Sequence, residues 1–364
     1  MKSSAYKPNI RAWQLSIILI ASRVAFLTVF LHVFENHTHP KDAWLSATLS
    51  SIIALFITVM IVFLSKRHPD LSFVEMCMEL LGTWGGRLVS IIYLWFFLHI
   101  AYLSVRQFSE VIHMTMMPET PVSFLNIVMT IAIIFTVTRG LKAIAQTSSL
   151  TVPISIALIL FTLILFIKDI RMEALLPVME KGIKPVLFGS LVPAILYGES
   201  LLILVFFPYV KDKHNMLSFS IIASIFTSIL FIFVTIIVIS VFGANEAKNI
   251  TFPLFSLTKI MSISNIRYEA LMIYVWTVLL FVKATIYFYA SVISIGQWLS
   301  LKSYKGLIIP VGVFILIFSF EAFESTRDII NFFSPKYYIL LAYTIEILVP
   351  LLLIFISILR KRKT

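Results

Sequence analysis

Charge is sparse in this sequence. Asp, Glu, Lys and Arg make up 13% of its 364 residues, about half their share in an ordinary soluble domain. Cysteine is nearly absent, and Cys77 alone cannot form an internal disulfide. Catalytic and cofactor signatures are missing as well. No P-loop, GxSxG, HExxH or CxxC pattern occurs, so an enzyme is not expected and no cofactor is implied. Hydrophobic residues fill the space left, at 60% of the chain with 32 Phe. A water-soluble fold of this length buries a large core, yet it could not hide that much apolar surface. Lipid is the expected solvent. A cleavable signal peptide is not expected, since the run 13–34 is too long for a signal core and lacks a small-residue cleavage pattern.

The apolar residues fall into ten runs, 13–34, 43–64, 88–112, 122–138, 144–167, 186–210, 216–242, 270–295, 307–323 and 337–359. Each is close to the roughly 20 residues that a spanning helix requires. The ninth is short and ends near Glu321. The formal charge of +11 could suggest a nucleic-acid partner, but its placement argues otherwise. With a cytosolic N-terminus, most Lys and Arg outside the runs fall on the cytosolic side, among them Lys66, Arg67, Arg87, Arg139 and Lys142. That is the positive-inside bias, so both termini are expected in the cytosol. The tail Arg360–Lys363 suits anionic lipid head groups.

No soluble domain is expected. Residues 1–12 read as a cytosolic N-terminus, 13–167 as a first half, 186–359 as a second half and 360–364 as a basic tail. Within the first half, Asp70 is a candidate N-cap for an amphipathic helix over 71–84. Val74, Cys77, Met78, Leu81 and Trp84 would form its apolar face, with Glu75 and Glu79 opposite. Gly82, Gly85 and Gly86 would end it.

Few ionisable residues lie inside the runs: Arg23, Arg106 with Glu110, Glu199, Lys283 and Glu346. Such residues at membrane depth face a partner or a watery cavity. Span six reads Pro193-Ala-Ile-Leu-Tyr197-Gly198-Glu199-Ser200, where proline and glycine weaken the helix and free backbone groups. Two five-span halves of inverted orientation would place a broken helix first in each half. In the first half, that position holds Ala21-Ser22-Arg23-Val24, polar but without glycine or proline. The charges lie on spans one, three, six, eight and ten, consistent with one central polar site. An amino acid would suit it, its carboxylate at Arg23 and its ammonium at Glu199. The bland alternative is mutual pairing, Arg23 with Glu199 and Lys283 with Glu346. Arg106 and Glu110 stand four apart and can pair along one helix face. Gln146-Thr-Ser-Ser149 and Pro153 could line a water path, or the hydroxyls could bond back to their own helix. Tyr287 shares a helix face with Lys283. His37 and His39 are better read as a solvated loop than as a metal site.

The chain resembles the endospore germination permeases, the B subunits of spore germinant receptors, which are related to amino acid–polyamine–organocation transporters. The resemblance runs over nearly the whole chain. It is carried by His68-Pro-Asp70 leading into Phe73-Val-Glu75, by Leu81-Gly-Thr-Trp84-Gly and by Arg106-Gln-Phe-Ser-Glu110. It continues through Leu175-Leu-Pro177-Val with Lys181-Gly182, Tyr197-Gly198-Glu199, Phe207-Pro208-Tyr209-Val, and Arg267-Tyr-Glu269 with Trp276. It implies an all-α polytopic protein with ten transmembrane helices in the five-plus-five inverted-repeat fold of LeuT-like transporters, with helices one and six broken. It also implies the inner membrane of dormant spores, partner A and lipoprotein C subunits, and a small germinant, usually an amino acid. The alternative is a transporter of an amino acid, or one coupled to protons, through the same central site. With this resemblance the candidate ligand-binding residues are Ser22, Arg23, Val105, Arg106, Tyr197, Gly198, Glu199, Ser200, Lys283 and Tyr287. One departure stands out. The family commonly has glycines in the first broken span, where this chain has Ser22-Arg23.

Overall fold

A computed structural model describes residues 9–29, 39–250, 252–260, 268–321 and 338–361. The His37 reading, and Arg267 of the resemblance, fall outside them. Every predicted run contains a helix. The long ones are α1 (Ala12–Val29), α2 (Ala43–Arg67), α3 (Phe73–Thr115), α4 (Val122–Thr138) and α5 (Leu141–Leu165). The second half holds α6 (Lys184–Ile195), α7 (Leu201–Phe206), α8 (Met216–Phe242), α9 (Pro253–Ile260), α10 (Glu269–Trp298), α11 (Ile308–Glu321), α12 (Tyr338–Tyr343) and α13 (Val349–Lys361). Seven helical segments among the described residues are long and apolar enough to cross a membrane. The outward faces of the helices carry exposed apolar side chains such as Ile52, Phe56, Ile131, Phe135, Leu150 and Ile164. In water such faces would be a liability; against acyl chains they cost nothing.

Two departures from the sequence reading are local. The amphipathic helix starts two residues later than expected, capped by Ser72 rather than Asp70. Ser72 and Glu75 form a reciprocal capping box, with Glu75 Oε2 accepting from the Ser72 amide at 3.0 Å. Its buried face is Phe73, Met76, Cys77 and Leu80 beside Val74, whereas Met78 and Leu81 are half-buried and Trp84 is exposed. The reason is Gly82, whose φ of 79° lies in the left-handed region. The helix axis breaks there, so Trp84 belongs to the next segment and leaves the predicted stripe. Beyond Gly82 the same helix continues as span three.

The second departure is α1. The expected break at Ser22-Arg23 is absent, and the helix is continuous from Ala12 to Val29. Its N-terminus is tied to the far half of the chain. Ala12 donates its amide to Asp212 Oδ1 at 2.8 Å, and Ile10 forms an isolated parallel bridge with Val210. The chain after α7 thereby caps the first helix and satisfies a donor that the helix itself leaves open.

α10 packs along α3 and also against α1 and α5, while α2 packs against α8 and α6. The segment α6–α7 is the most enclosed span. Along Lys184–Tyr209, 94% of its most apolar stretch is buried, against 28% for Ile339–Arg360. The sixth span is therefore the axis of the bundle and the tenth a peripheral helix with one inward face.

Candidate functional site

Span six leaves the α-helical pattern for a 3-10 turn where the sequence weakens it. Pro193 has no amide to donate, and Gly198 is a poor helix former. Between α6 and α7 the chain turns through the 3-10 segment Leu196–Ser200 instead of continuing as α-helix. This turn carries Tyr197, Gly198, Glu199 and Ser200 at the centre of the bundle. It touches α1 and α2.

Arg23 reaches the turn from α1 and is almost wholly buried. Its Nη1 donates to Ser224 Oγ at 2.8 Å, and its Nη2 donates to Ser200 Oγ at 2.7 Å and Thr58 Oγ1 at 3.1 Å. The three hydroxyls also bond one another, Thr58 to Ser200 at 2.9 Å and to Ser224 at 3.0 Å. Thr58 passes its own proton to the Ala54 carbonyl at 2.9 Å. A guanidinium with five donors in a planar fork can be shared among several neutral acceptors in this way. The cradle draws on α1, α2, α8 and the turn.

The alternative pairings, Arg23 with Glu199 and Lys283 with Glu346, are not the ones seen among the described residues. Lys283 from α10 donates to Glu199 Oε1 at 2.9 Å, and both residues are buried. The two side chains meet because α10 and the turn approach the same interior space. Arg23 instead directs both terminal nitrogens of its guanidinium to hydroxyls. Glu199 Oε2 has no hydrogen-bond partner among the described residues.

Glu346 reaches the same turn from span ten. It sits on a π-helical turn, Thr344–Leu348, between α12 and α13, and is fully buried. Its carboxyl lies against Gly198, where a Cβ would overlap it. Gly198 thus serves two ends, weakening the helix and leaving room for a carboxyl group from span ten. Of the charges that the sequence placed on spans one, three, six, eight and ten, Lys283 meets Glu199, Arg23 meets Ser200 of the same turn, Glu346 lies against Gly198, and Arg106 pairs within its own helix.

The third span contributes differently. Arg106 pairs with Glu110 at 2.6 Å along its own helix, as the four-residue spacing predicts. Val105 is fully buried. Tyr287 on α10 is buried with its ring edge toward Phe96 and 6.2 Å from Phe97. In span five, Ser148 and Ser149 donate back to the Ile144 and Ala145 carbonyls at 2.8 and 2.6 Å. Those hydroxyls follow the back-bonding alternative, and Gln146 and Thr147 face outward.

Sequence reasoning missed Thr58 and Ser224, two single hydroxyls inside apolar runs. It also missed Gln107 and Thr285. Among the described residues, both amide atoms of Gln107, Thr285 Oγ1 and Ser22 Oγ are buried without a hydrogen-bond partner. With Glu199 Oε2, these open polar atoms occur on spans one, three, six and eight. Gln107 was legible in one respect, since it stands beside Arg106 in the motif already singled out.

A helical bundle of this shape is shared with transporters of the LeuT-like class. The solved structure of MhsT in complex with L-phenylalanine superposes with a TM-score of 0.70 at 12% identity, covering 97% of this chain and 99% of that one. The likeness shows the fold. At the level of sequence, the profile of the Spore_permease family, described as "Spore germination protein", matches residues 9–326, and the chain belongs to that family. The spore germination protein YndE of Bacillus subtilis (strain 168) is 28% identical over 78% of this chain and 79% of its own length. Spore germination protein A2 of the same organism is 24% identical over 96% and 95%. The family and fold are those of receptors or transporters, and the chain is an integral membrane protein.

Proposed function

We propose that this chain is the membrane-embedded subunit of a spore germinant receptor, a ten-span inverted-repeat bundle that binds a small germinant, an amino acid, at the turn Leu196–Ser200. In this reading both termini face the cytosol, the membrane is the spore inner membrane, and the partners are a larger A subunit and a lipoprotein C subunit. The observation that carries it is the set of open, buried polar atoms on spans one, three, six and eight, namely Ser22 Oγ, Gln107, Glu199 Oε2 and Thr285 Oγ1. Buried polar groups are ordinarily satisfied, and a set left open is what a polar ligand would complete. The ammonium of the guest would approach Glu199 Oε2, and its carboxylate the Arg23 side of the turn, with Val105, Arg106, Tyr197, Gly198, Ser200, Lys283 and Tyr287 as the surrounding set. Binding need only favour one arrangement of the bundle over another, and a differential of about 1–3 kcal/mol is typical. The test is amino-acid-triggered germination of spores carrying Glu199→Gln or Tyr197→Ala. Loss or weakening of the response is expected; an unchanged response in both removes the site.

A transporter is the second reading, favoured by the resemblance to the L-phenylalanine-bound MhsT structure. Reconstituted protein should then accumulate labelled amino acid in vesicles, whereas a receptor subunit binds without net flux.

A further inference from the structure

Glu346 is used by neither reading. It is fully buried, and neither of its oxygens meets a hydrogen-bond donor among the described residues. An ionised carboxylate in that setting would carry the whole cost of leaving water with nothing to offset it. The position is nevertheless held firmly. Tyr93 of α3 donates its hydroxyl to the Ile345 carbonyl at 2.5 Å, and Tyr343 of α12 donates to the Leu191 carbonyl of α6 at 3.1 Å. The residue sits on a π-turn, a rare insertion that recurs at functional sites. Its carboxyl presses on Gly198, the one kind of residue that leaves space for it.

The charged and titratable groups facing Glu346 are Glu199 from the turn, Tyr93 from α3 and Tyr343 from α12. Lys283 of α10 is engaged by Glu199 at 2.9 Å. The ammonium thus serves Glu199, and Glu346 accepts no hydrogen bond among the described residues. A metal ion would need a shell of several oxygens. Among the described residues, no group of three or more His, Cys, Asp or Glu side chains could hold one.

We propose that Glu346 is a proton-binding site of this protein. It carries a proton while span ten is seated on Gly198. It releases that proton to water, leaving a carboxylate, only when span ten and the interrupted sixth span move apart. The proton is then a latch. In the protonated state the carboxyl is neutral and can lie dry against Gly198; in the ionised state it demands water or a cation, and the contact opens. This goes beyond the receptor reading and holds whether or not a germinant binds.

Infrared spectroscopy of the ligand-free full chain in lipid nanodiscs tests it directly. At neutral pH the wild-type-minus-E346Q difference spectrum is expected to contain the carbonyl stretch of a protonated carboxyl group, shifted in heavy water. Absence of that band from the wild-type protein overturns the proposal, as does its persistence in E346Q. Loss of the band on adding sodium chloride also overturns it, since a metal cation would then be the occupant. Should E346Q fail to fold, Glu346→Asp is expected to move the band, and an unmoved band is equally fatal.

Discussion

Arg23 and Lys283 are both bases, both enclosed at the centre of the bundle, and they reach that burial by opposite routes. Arg23 spreads its charge over three hydroxyls from three separate elements. Lys283 pairs with a full counter-charge, the Glu199 carboxylate. The difference follows from the side chains themselves. A planar fork with five donors suits several neutral acceptors, whereas a compact ammonium is matched by one full counter-charge. The arginine cradle is thus distributed and tolerant, losing one of several bonds at a time. The lysine pair is concentrated and fragile, because removing either partner strands a charge.

The comparison is broken most sharply by Lys283→Met. It leaves Glu199 buried without a counter-charge, which costs about 3–5 kcal/mol in comparable sites. A large fall in the unfolding midpoint of the purified protein in detergent is expected. Adding Glu199→Gln to that variant should recover much of the loss, since the uncompensated charge is then gone. A double variant no more stable than the single one would mean that the pair does not carry the coupling.

On the other side, Thr58→Val removes the hydroxyl that bonds both Arg23 and its two companions. A hydrogen bond to a charged group contributes about 1.5–3 kcal/mol, but the cradle keeps Ser200 and Ser224. The expected loss lies at the lower end of that range and below that of Lys283→Met. A thermal shift as large as the lysine variant's would refute the distributed reading of the cradle.

These contrasts also explain what could be read in the sequence. The helices were legible because long apolar runs admit little else in lipid. The interruption at 196–200 was legible because Pro193 and Gly198 each weaken a helix by themselves. The Arg106–Glu110 pair followed from spacing alone. The partner exchange was not legible. Thr58 and Ser224 look like the many hydroxyls that bond their own helix, as Ser51 does with the Ala47 carbonyl at 2.7 Å. Only the packing of α8 against α1, and of α2 against α8 and the turn, turns them toward Arg23. The same fact explains why α1 stays helical. A buried arginine supplied with side-chain acceptors does not need carbonyls freed by a broken helix, so the glycines expected in span one have no work to do here. The end of the amphipathic helix at Gly82 was legible from its glycines, whereas its cap moved from Asp70 to Ser72, where Ser72 and Glu75 satisfy each other's groups.

Gly198 is where the two routes meet, and it yields the finest test of the comparison. The Ala substitution is ordinarily favourable in a helix, since glycine is the poorer helix former by about 1 kcal/mol. Here the added methyl would overlap the Glu346 carboxyl, and such overpacking typically costs about 1–3 kcal/mol. The two effects oppose each other, so Gly198→Ala is expected to destabilise modestly. Gly306→Ala serves as the reference, because nothing lies within 4 Å of the added carbon there. Shortening the opposing side chain decides the cause. In a Glu346→Ala background the steric term disappears, and Gly198→Ala should become neutral or stabilising. If the substitution remains equally destabilising in that background, the glycine is required for the shape of the turn itself, and the contact between spans six and ten is incidental to it.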